Sequence, residues 1–203
     1  TNVVFGEGTE MVGPGVEKNH RIGERGFNIS SCQFALHYFF EDPTLLHGFL
    51  TNVAECTKLN GYFIGTAYDG KKIFNMLAEK NMNENMKIIQ DNKKIWEIIK
   101  EYDSYSFRDD SSSIGYKITV FQESINQYIS EYLINFDYLI RLMEQYGFKV
   151  VEDKDAQEMG FPKGIGNFEG LYNKMIYDIK KNNSRKKEYG TAFQMSKNEK
   201  QIS

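Results

Sequence analysis

Two places in this sequence of 203 residues gather side chains able to hold a flat heterocycle. The first is the run Ser31-Cys32-Gln33-Phe34-Ala35-Leu36-His37-Tyr38-Phe39-Phe40, which puts an amide, an imidazole and several aromatic rings within a few residues. Rings provide stacking faces and the polar groups provide edge contacts, the combination a heterocycle site needs. Plain packing is the alternative, with the aromatics in the core and His37 bonded to a backbone carbonyl, and composition alone favours it. The second place is Glu131, set in Ile129-Ser130-Glu131-Tyr132-Leu133. A guanine Watson–Crick edge presents two parallel N–H donors, and one carboxylate can accept both. A solvent-facing acid at the boundary of an element is the simpler account of Glu131 taken by itself.

Other chemistries find no footing. The early glycines, Gly6, Gly8, Gly13 and Gly15, make no G-x-G-x-x-G after a strand, and no Gly-Lys-Ser/Thr closes a phosphate loop. No nucleophile elbow is present, and two cysteines with three histidines do not compose a zinc signature. With 25 Lys and Arg against 28 Asp and Glu, the net charge of −3 argues against a broadly basic nucleic-acid clamp. Apolar residues at 40% and aromatics at 14% suit one globular domain with a real core and exclude disordered or collagen-like chains. No run of about 18 apolar residues exists and no signal peptide is visible, so the expectation is a soluble intracellular chain. Cys32 and Cys56 fall inside apolar segments, which agrees with a reducing compartment. The chain starts at Thr1, and the expectation is that it belongs to a longer polypeptide.

The elements that must position these groups can be read in order. Phe27 to Cys32 reads as a short, mostly buried strand. Asp42-Pro43 supplies an N-cap and a first-turn proline, and Leu45, Leu46, Phe49, Leu50, Val53 and Ala54 recur at helical spacing. That helix is expected to stop at a left-handed cap at Asn60-Gly61, with Tyr62 to Thr66 as a second buried strand, making a parallel crossover unit. Asp69-Gly70 marks a turn, followed by a short helix carrying Ile73, Phe74, Leu77 and Ala78. Ile95, Ile98, Ile99 and Tyr102 fit either one helical face or a strand hairpin. Asp109 to Ser113 reads as a loop, and Tyr116 to Phe121 as a strand. A helix from Ile134 to Tyr146 ends at Gly147, with Phe148 to Val151 as the next strand, giving a second strand-helix-strand rhythm. Leu171, Tyr172, Met175, Ile176 and Ile179 mark a last helix, and the run with Lys180, Lys181, Arg185, Lys186 and Lys187 reads as a solvated loop. The alternation indicates an α/β three-layer domain, whose ligands sit beyond the carboxyl ends of the strands; there the Gln33 to Tyr38 run falls.

Four motifs in order turn these generic features into a resemblance: Phe27 to Glu41 with its Gln33-Phe34-Ala35-Leu36-His37-Tyr38 element, Leu59 to Thr66, Ile114 to Ile125, and Glu131 to Phe136. The chain resembles the mRNA cap guanine-N7 methyltransferase family, with the flavour of the capping enzymes of large cytoplasmic DNA viruses. The likeness runs, with loops, from about Val4 to the C-terminus. It implies a class I, Rossmann-like α/β fold that binds S-adenosylmethionine and the cap guanosine and methylates guanine N7. Carried over by position, Gln33 and Phe34 look like residues at the methyl-donor end of the pocket. His37 and Tyr38 are similar to the pair that contacts the cap guanine, with Tyr38 also closing over the sulfonium, and Glu131 looks like the acid on the guanine N1 and N2 edge. Glu7 stands where the family usually has an aspartate near the adenine. No metal and no general base are implied, because N7 carries a lone pair and no proton.

The same resemblance implies an incomplete domain, with 1–203 as the C-terminal part of one methyltransferase domain. The glycine-rich acidic loop and the ribose-binding acid of the family are expected before Val4, and a closing strand after Ser203, so the chain alone is expected to be inactive. Implied partners are capped RNA and other capping-enzyme domains or a stimulatory subunit, with neither DNA nor a membrane. The implied compartment is the host cytoplasm or virion for a viral protein and the nucleus for a cellular one. Two other readings stand beside this one: a methyltransferase-like scaffold without activity, and a methyltransferase for another substrate.

Overall fold

The computed structural model describes residues 20–195 together with Phe5. Strand β1, Phe27–Gln33, leads through a 3-10 turn, Leu36–Phe40, into helix α1, Pro43–Cys56. Asp42 is the N-cap of α1: its Oδ1 accepts the amides of Thr44 at 2.7 Å and Leu45 at 3.1 Å, and Pro43 fills a first-turn site where no amide is needed. Leu46, Leu50 and Val53 form the buried stripe of α1. The helix gives way at Thr57 directly to β2, Thr57–Thr66, which pairs parallel with β1 from Ile29↔Tyr62 to Gln33↔Thr66. The crossover expected from sequence is therefore present, as a Rossmann-like fold requires.

The helix stop at Asn60-Gly61 is corrected. Asn60 does take a left-handed φ of 63°, but it does so inside β2, where the register against β1 shifts between Phe27 and Ile29. The signal read as a helix cap is a strand irregularity, which uses the same backbone conformation.

Helix α2, Gly70–Met76, is capped by Asp69, whose Oδ1 accepts the Lys71 amide at 3.1 Å. Gly70 lies against the main chain of Ile134, donating to its carbonyl at 3.0 Å, and a Cβ there would collide with that oxygen. Four strands follow: β3, Asn85–Gln90; β4, Lys93–Lys100; β5, Lys117–Gln122; and β6, Gln127–Tyr132. They lie in the sheet in chain order. The pairings Glu101 to Lys117 and Glu123 to Ile95 progress in opposite directions along the chain, so β4 and β5 are antiparallel. Of the two readings open for Ile95 to Tyr102, the hairpin holds. Its β3–β4 turn is Asp91-Asn92, both at positive φ, the two-residue geometry that suits the twist of flanking strands.

Helix α3, Phe136–Gln145, buries Leu139 and Leu142 and ends before Gly147 at φ 85°. No strand forms over Phe148 to Val151. The Phe148 amide donates to Met143 O at 3.1 Å, so it completes the end of α3. The second strand-helix-strand unit expected from sequence is thus absent among the described residues, and the β5–β6 connection is a short antiparallel turn.

Contacts divide the chain into two units, one joining Ile98–Phe121 and Gln127–Phe148 to the chain up to Met86, the other joining Lys87–Glu97 and Gln122–Asn126 to the chain from Lys149. The core of the first contains Cys32, Leu36, Phe40, Leu46, Leu50, Ile134, Leu139 and Leu142. The burial expected for both strands is corrected: Cys32 is the one buried residue of the β1–β2 pair, whose other face carries Ile29, Tyr62 and Ile64 in the open, although parallel strands normally have both faces covered. The second unit contains helices α4, Asp153–Glu158, and α5, Phe168–Lys181, the latter capped by Asn167 and followed by a 3-10 turn, Asn183–Lys187, where sequence implied a loop.

Candidate functional site

His37 and Glu131 come together. They are 94% and 91% buried, and His37 Nδ1 lies 3.7 Å from Glu131 Oε2. The strand alternation of β6 turns Glu131 inward, and the 3-10 turn buries His37 between Leu36 and Phe40. Two hydrogen bonds hold the turn against this end of the sheet. Tyr132 donates its hydroxyl to Glu41 Oε1 at 2.9 Å, and the Gly115 amide donates to Phe40 O at 2.9 Å. Glu41 and Tyr132 flank the two site residues in sequence, so this bond fixes the spacing of the pair. Sequence reasoning missed it, since nothing in either residue type marks a partner 91 positions away.

Burial sets the charge state of the pair. It pushes the Glu131 carboxyl up to about 7 and the His37 imidazole down to about 4. Opposite charges at 3.7 Å would pull both values the other way, but with so little solvent the cost of desolvating two ions outweighs their attraction. Below neutral pH the pair is a carboxylic acid beside a neutral imidazole. His37 Nε2 is buried with no hydrogen-bond partner among the described residues. An unpaired polar atom in such a position is costly in a purely structural role, and it favours a site over packing for the Gln33 to Phe40 run.

Tyr38 sets its ring edge-on to His37, centroids 4.2 Å apart, with 44% of the residue exposed. Gln33 and Phe34 stand at the carboxyl ends of the parallel strands. Gln33 Oε1 accepts the Thr66 hydroxyl at 2.8 Å, and its amide donates to Ser31 Oγ at 3.0 Å. Phe34 has a left-handed φ of 50° with 59% of the residue exposed, a conformation a bulky side chain rarely adopts, held by its amide bond to Thr66 O at 2.9 Å. Gln33, Phe34 and Tyr38 are therefore exposed, whereas His37 and Glu131 lie buried. Glu7 and the sequence from Ser196 on lie outside the described residues.

Asn135, fully buried, lies four residues downstream of the acid and ties its segment to neighbouring loops. Its amide donates to Arg108 O at 2.8 Å and Asp109 Oδ1 at 3.0 Å, while its oxygen caps α3 through the Tyr138 amide at 3.1 Å. Lys71 joins the cluster by pairing with Asp109 at 2.7 Å and Asp137 at 2.6 Å, and holds the Asp109 carboxyl below its usual range. Replacing Asn135 by alanine is expected to cost about 2–4 kcal/mol, because it removes the cap and strands a carbonyl. A urea midpoint unchanged in that variant would show that the cluster does not hold this segment.

What the arrangement offers is a buried carboxylic acid and imidazole for the edge of a heterocycle, with exposed aromatic rings and an amide in the same run as His37. Comparison with known proteins gives this chemistry a context. The family description "mRNA (guanine-N(7))-methyltransferase domain" matches residues 9–202. A "Probable mRNA-capping enzyme" of Acanthamoeba polyphaga mimivirus is 31% identical over 132 residues, covering 62% of this chain and 11% of that protein. The "mRNA cap guanine-N(7) methyltransferase" of Saccharomyces cerevisiae is 30% identical over 149 residues, 70% of this chain and 33% of that protein. That of Caenorhabditis briggsae is 47% identical over 47 residues, 23% of this chain and 12% of that protein. The chain spans no more than about a third of the length of these relatives.

Proposed function

Since this chain belongs to the mRNA cap guanine-N7 methyltransferase family, we propose that the protein carrying it transfers a methyl group to N7 of the guanosine cap of mRNA, and that His37 and Glu131 form the guanine side of its site. The observation that carries the reading is the buried Glu131 beside an imidazole whose Nε2 has no partner among the described residues. Ionised, the Glu131 carboxylate accepts guanine N1–H and N2–H together. His37 Nε2 meets a polar atom of the same base, and Tyr38 supplies a ring at the mouth of the pocket.

The family implies a methyl donor, and we assign S-adenosylmethionine to that role. The residues fit: Gln33 ends β1, and Phe34 and Tyr38 follow it with their aromatic rings exposed, and such rings attract a cation. When bound there, S-adenosylmethionine supplies a methyl group on a positively charged sulfonium. Guanine N7 carries no proton, so none of these side chains need remove one. Their contribution is orientation and exclusion of water, and fixing two reactants in line is worth roughly 7–11 kcal/mol. We place the remainder of the donor site, including any role of Glu7, outside the described residues. The open Ile29, Tyr62 and Ile64 face of the parallel pair supports a larger domain around this sheet. Capped RNA is the proposed substrate, and further capping-enzyme domains or a stimulatory subunit are proposed partners.

The test is methylation of guanosine-capped RNA by the complete protein, with an adenosine-capped RNA of the same length beside it. Methyl transfer to guanine N7, inhibited by free guanosine cap analogue and at least about 100-fold weaker with the adenosine cap, is expected, since a site built to bond an N–H discriminates strongly against its absence. Equal transfer to both caps would sink the reading.

A further inference from the structure

The basic run after α5 is folded against the helix, and its charges are unequally used. Asp178 accepts Lys174 at 2.6 Å, Arg185 at 3.0 Å and the Tyr189 hydroxyl at 3.4 Å, clamping the turn Asn183–Lys187 to α5, while Arg185 also meets Glu188 at 3.1 Å. Tyr172 extends the clamp by donating to Phe193 O at 3.0 Å. Asp178 and Glu188 are thus taken up by Lys174 and Arg185. Lys180, Lys181, Lys186 and Lys187 are exposed and form no ion pair among the described residues. Aromatic rings lie between these cations. Lys181 stands 5.5 Å from the Tyr177 ring, Arg185 5.5 Å from Tyr189 and Lys186 4.7 Å from Phe193, and Tyr177 is 56% exposed. The chain as a whole is acidic at −3, so this concentration of cation is local to the end of α5 and the turn after it.

We propose that this face, formed by the last turn of α5 and the turn Asn183–Lys187, binds the sugar-phosphate backbone of single-stranded RNA. The charge complements phosphate, and cations set beside one exposed ring, Tyr177, and two half-buried ones, Tyr189 and Phe193, suit a strand whose bases are free to stack, which an acidic protein surface would not use. Choosing RNA as the occupant rests on the function proposed above. The clamp on Asp178 presents the lysines from a folded turn, so fewer degrees of freedom are lost on binding than from a loose tail.

The experiment measures binding of the complete protein to an uncapped RNA of about 20 nucleotides and to cap dinucleotide, across a salt series. Changing Lys180, Lys186 and Lys187 together to alanine is expected to weaken the uncapped RNA roughly 10- to 100-fold at about 0.1 M salt and to flatten the log–log salt slope by about 2, at some 0.7 per phosphate contact. Cap dinucleotide affinity and the melting temperature stay unchanged, and the matching Lys→Arg variant restores RNA binding. RNA affinity and slope unchanged in the alanine variant would overturn the proposal. So would polyglutamate binding through the same lysines as tightly as RNA, which would assign the face to an acidic protein. The uncapped RNA separates this proposal from the preceding one: loss of RNA binding in the variant, in a protein that methylates no cap, sustains the face and rejects the cap function.

Discussion

Replacing Glu131 by alanine in the complete protein is expected to lower kcat/KM on capped RNA by a hundredfold to ten-thousandfold. The carboxylate is proposed to accept two N–H groups of one guanine, and charge-assisted hydrogen bonds are worth about 1.5–3 kcal/mol each. Losing both removes about 3–6 kcal/mol, with each 1.36 kcal/mol tenfold in rate. Glutamine is the sharper substitution. It keeps the volume, but its amide accepts one N–H and sets its own N–H groups against the other. Stability moves the opposite way. A carboxyl whose pKa rises from an ordinary 4.5 to about 7 on folding stabilises fully below the lower value, and that contribution is lost as pH rises through the higher. Glu131→Gln is therefore expected to melt at a higher temperature than the parent at about pH 8, by an amount corresponding to at most ~3 kcal/mol. Activity retained in the glutamine variant, measured by methyl incorporation into capped RNA, would reject the guanine-binding role whatever happened to stability.

Cap binding should itself be steeply pH-dependent. The free site holds a proton on Glu131 below about 7, and a guanine edge made of donors selects the ionised form. Affinity is expected to rise about tenfold per pH unit toward neutrality and to level off above it. His37 stays neutral over this range because burial holds it near 4, so the imidazole adds no second transition until the solution is more acidic. Cap-analogue affinity measured from about pH 5.5 to 8 therefore shows one titration in the parent and none in Glu131→Gln. A flat profile in the parent would mean that the carboxyl is already ionised or is not in contact with the base.

Much of this arrangement was legible in the residues, for reasons that can be stated. Asp42-Pro43 and Gly147 announce helix ends because cap geometry is local, and the α1 stripe is local too. His37 and Glu131 could each be singled out, since an acid or imidazole among apolar neighbours is chemically conspicuous. Their pairing was not legible, because it depends on the Tyr132–Glu41 and Gly115–Phe40 bonds between distant segments. Asn60-Gly61 misled because a left-handed residue marks a strand irregularity as well as a helix end, and only the partner strand decides between them. Phe148 to Val151 has strand-forming composition, yet the Phe148 amide is committed to Met143. Asp91-Asn92 was the local signal that could have decided the hairpin in advance.

The chain-order arrangement of β3, β4, β5 and β6 bears on how His37 and Glu131 come together. Each of these strands closes onto its immediate predecessor, so the part of the chain that carries Glu131 can assemble through short-range closures with a small entropic cost at each step. His37 belongs to a separate local assembly, the β1–α1–β2 crossover. A more expensive event is the long-range docking that brings the turn at Leu36–Phe40 onto the β6 end, and it is there that water is expelled from the acid and the imidazole. The proposed substrate recognition is thereby placed in a contact of high sequence separation, where a folding nucleus has little reason to form early.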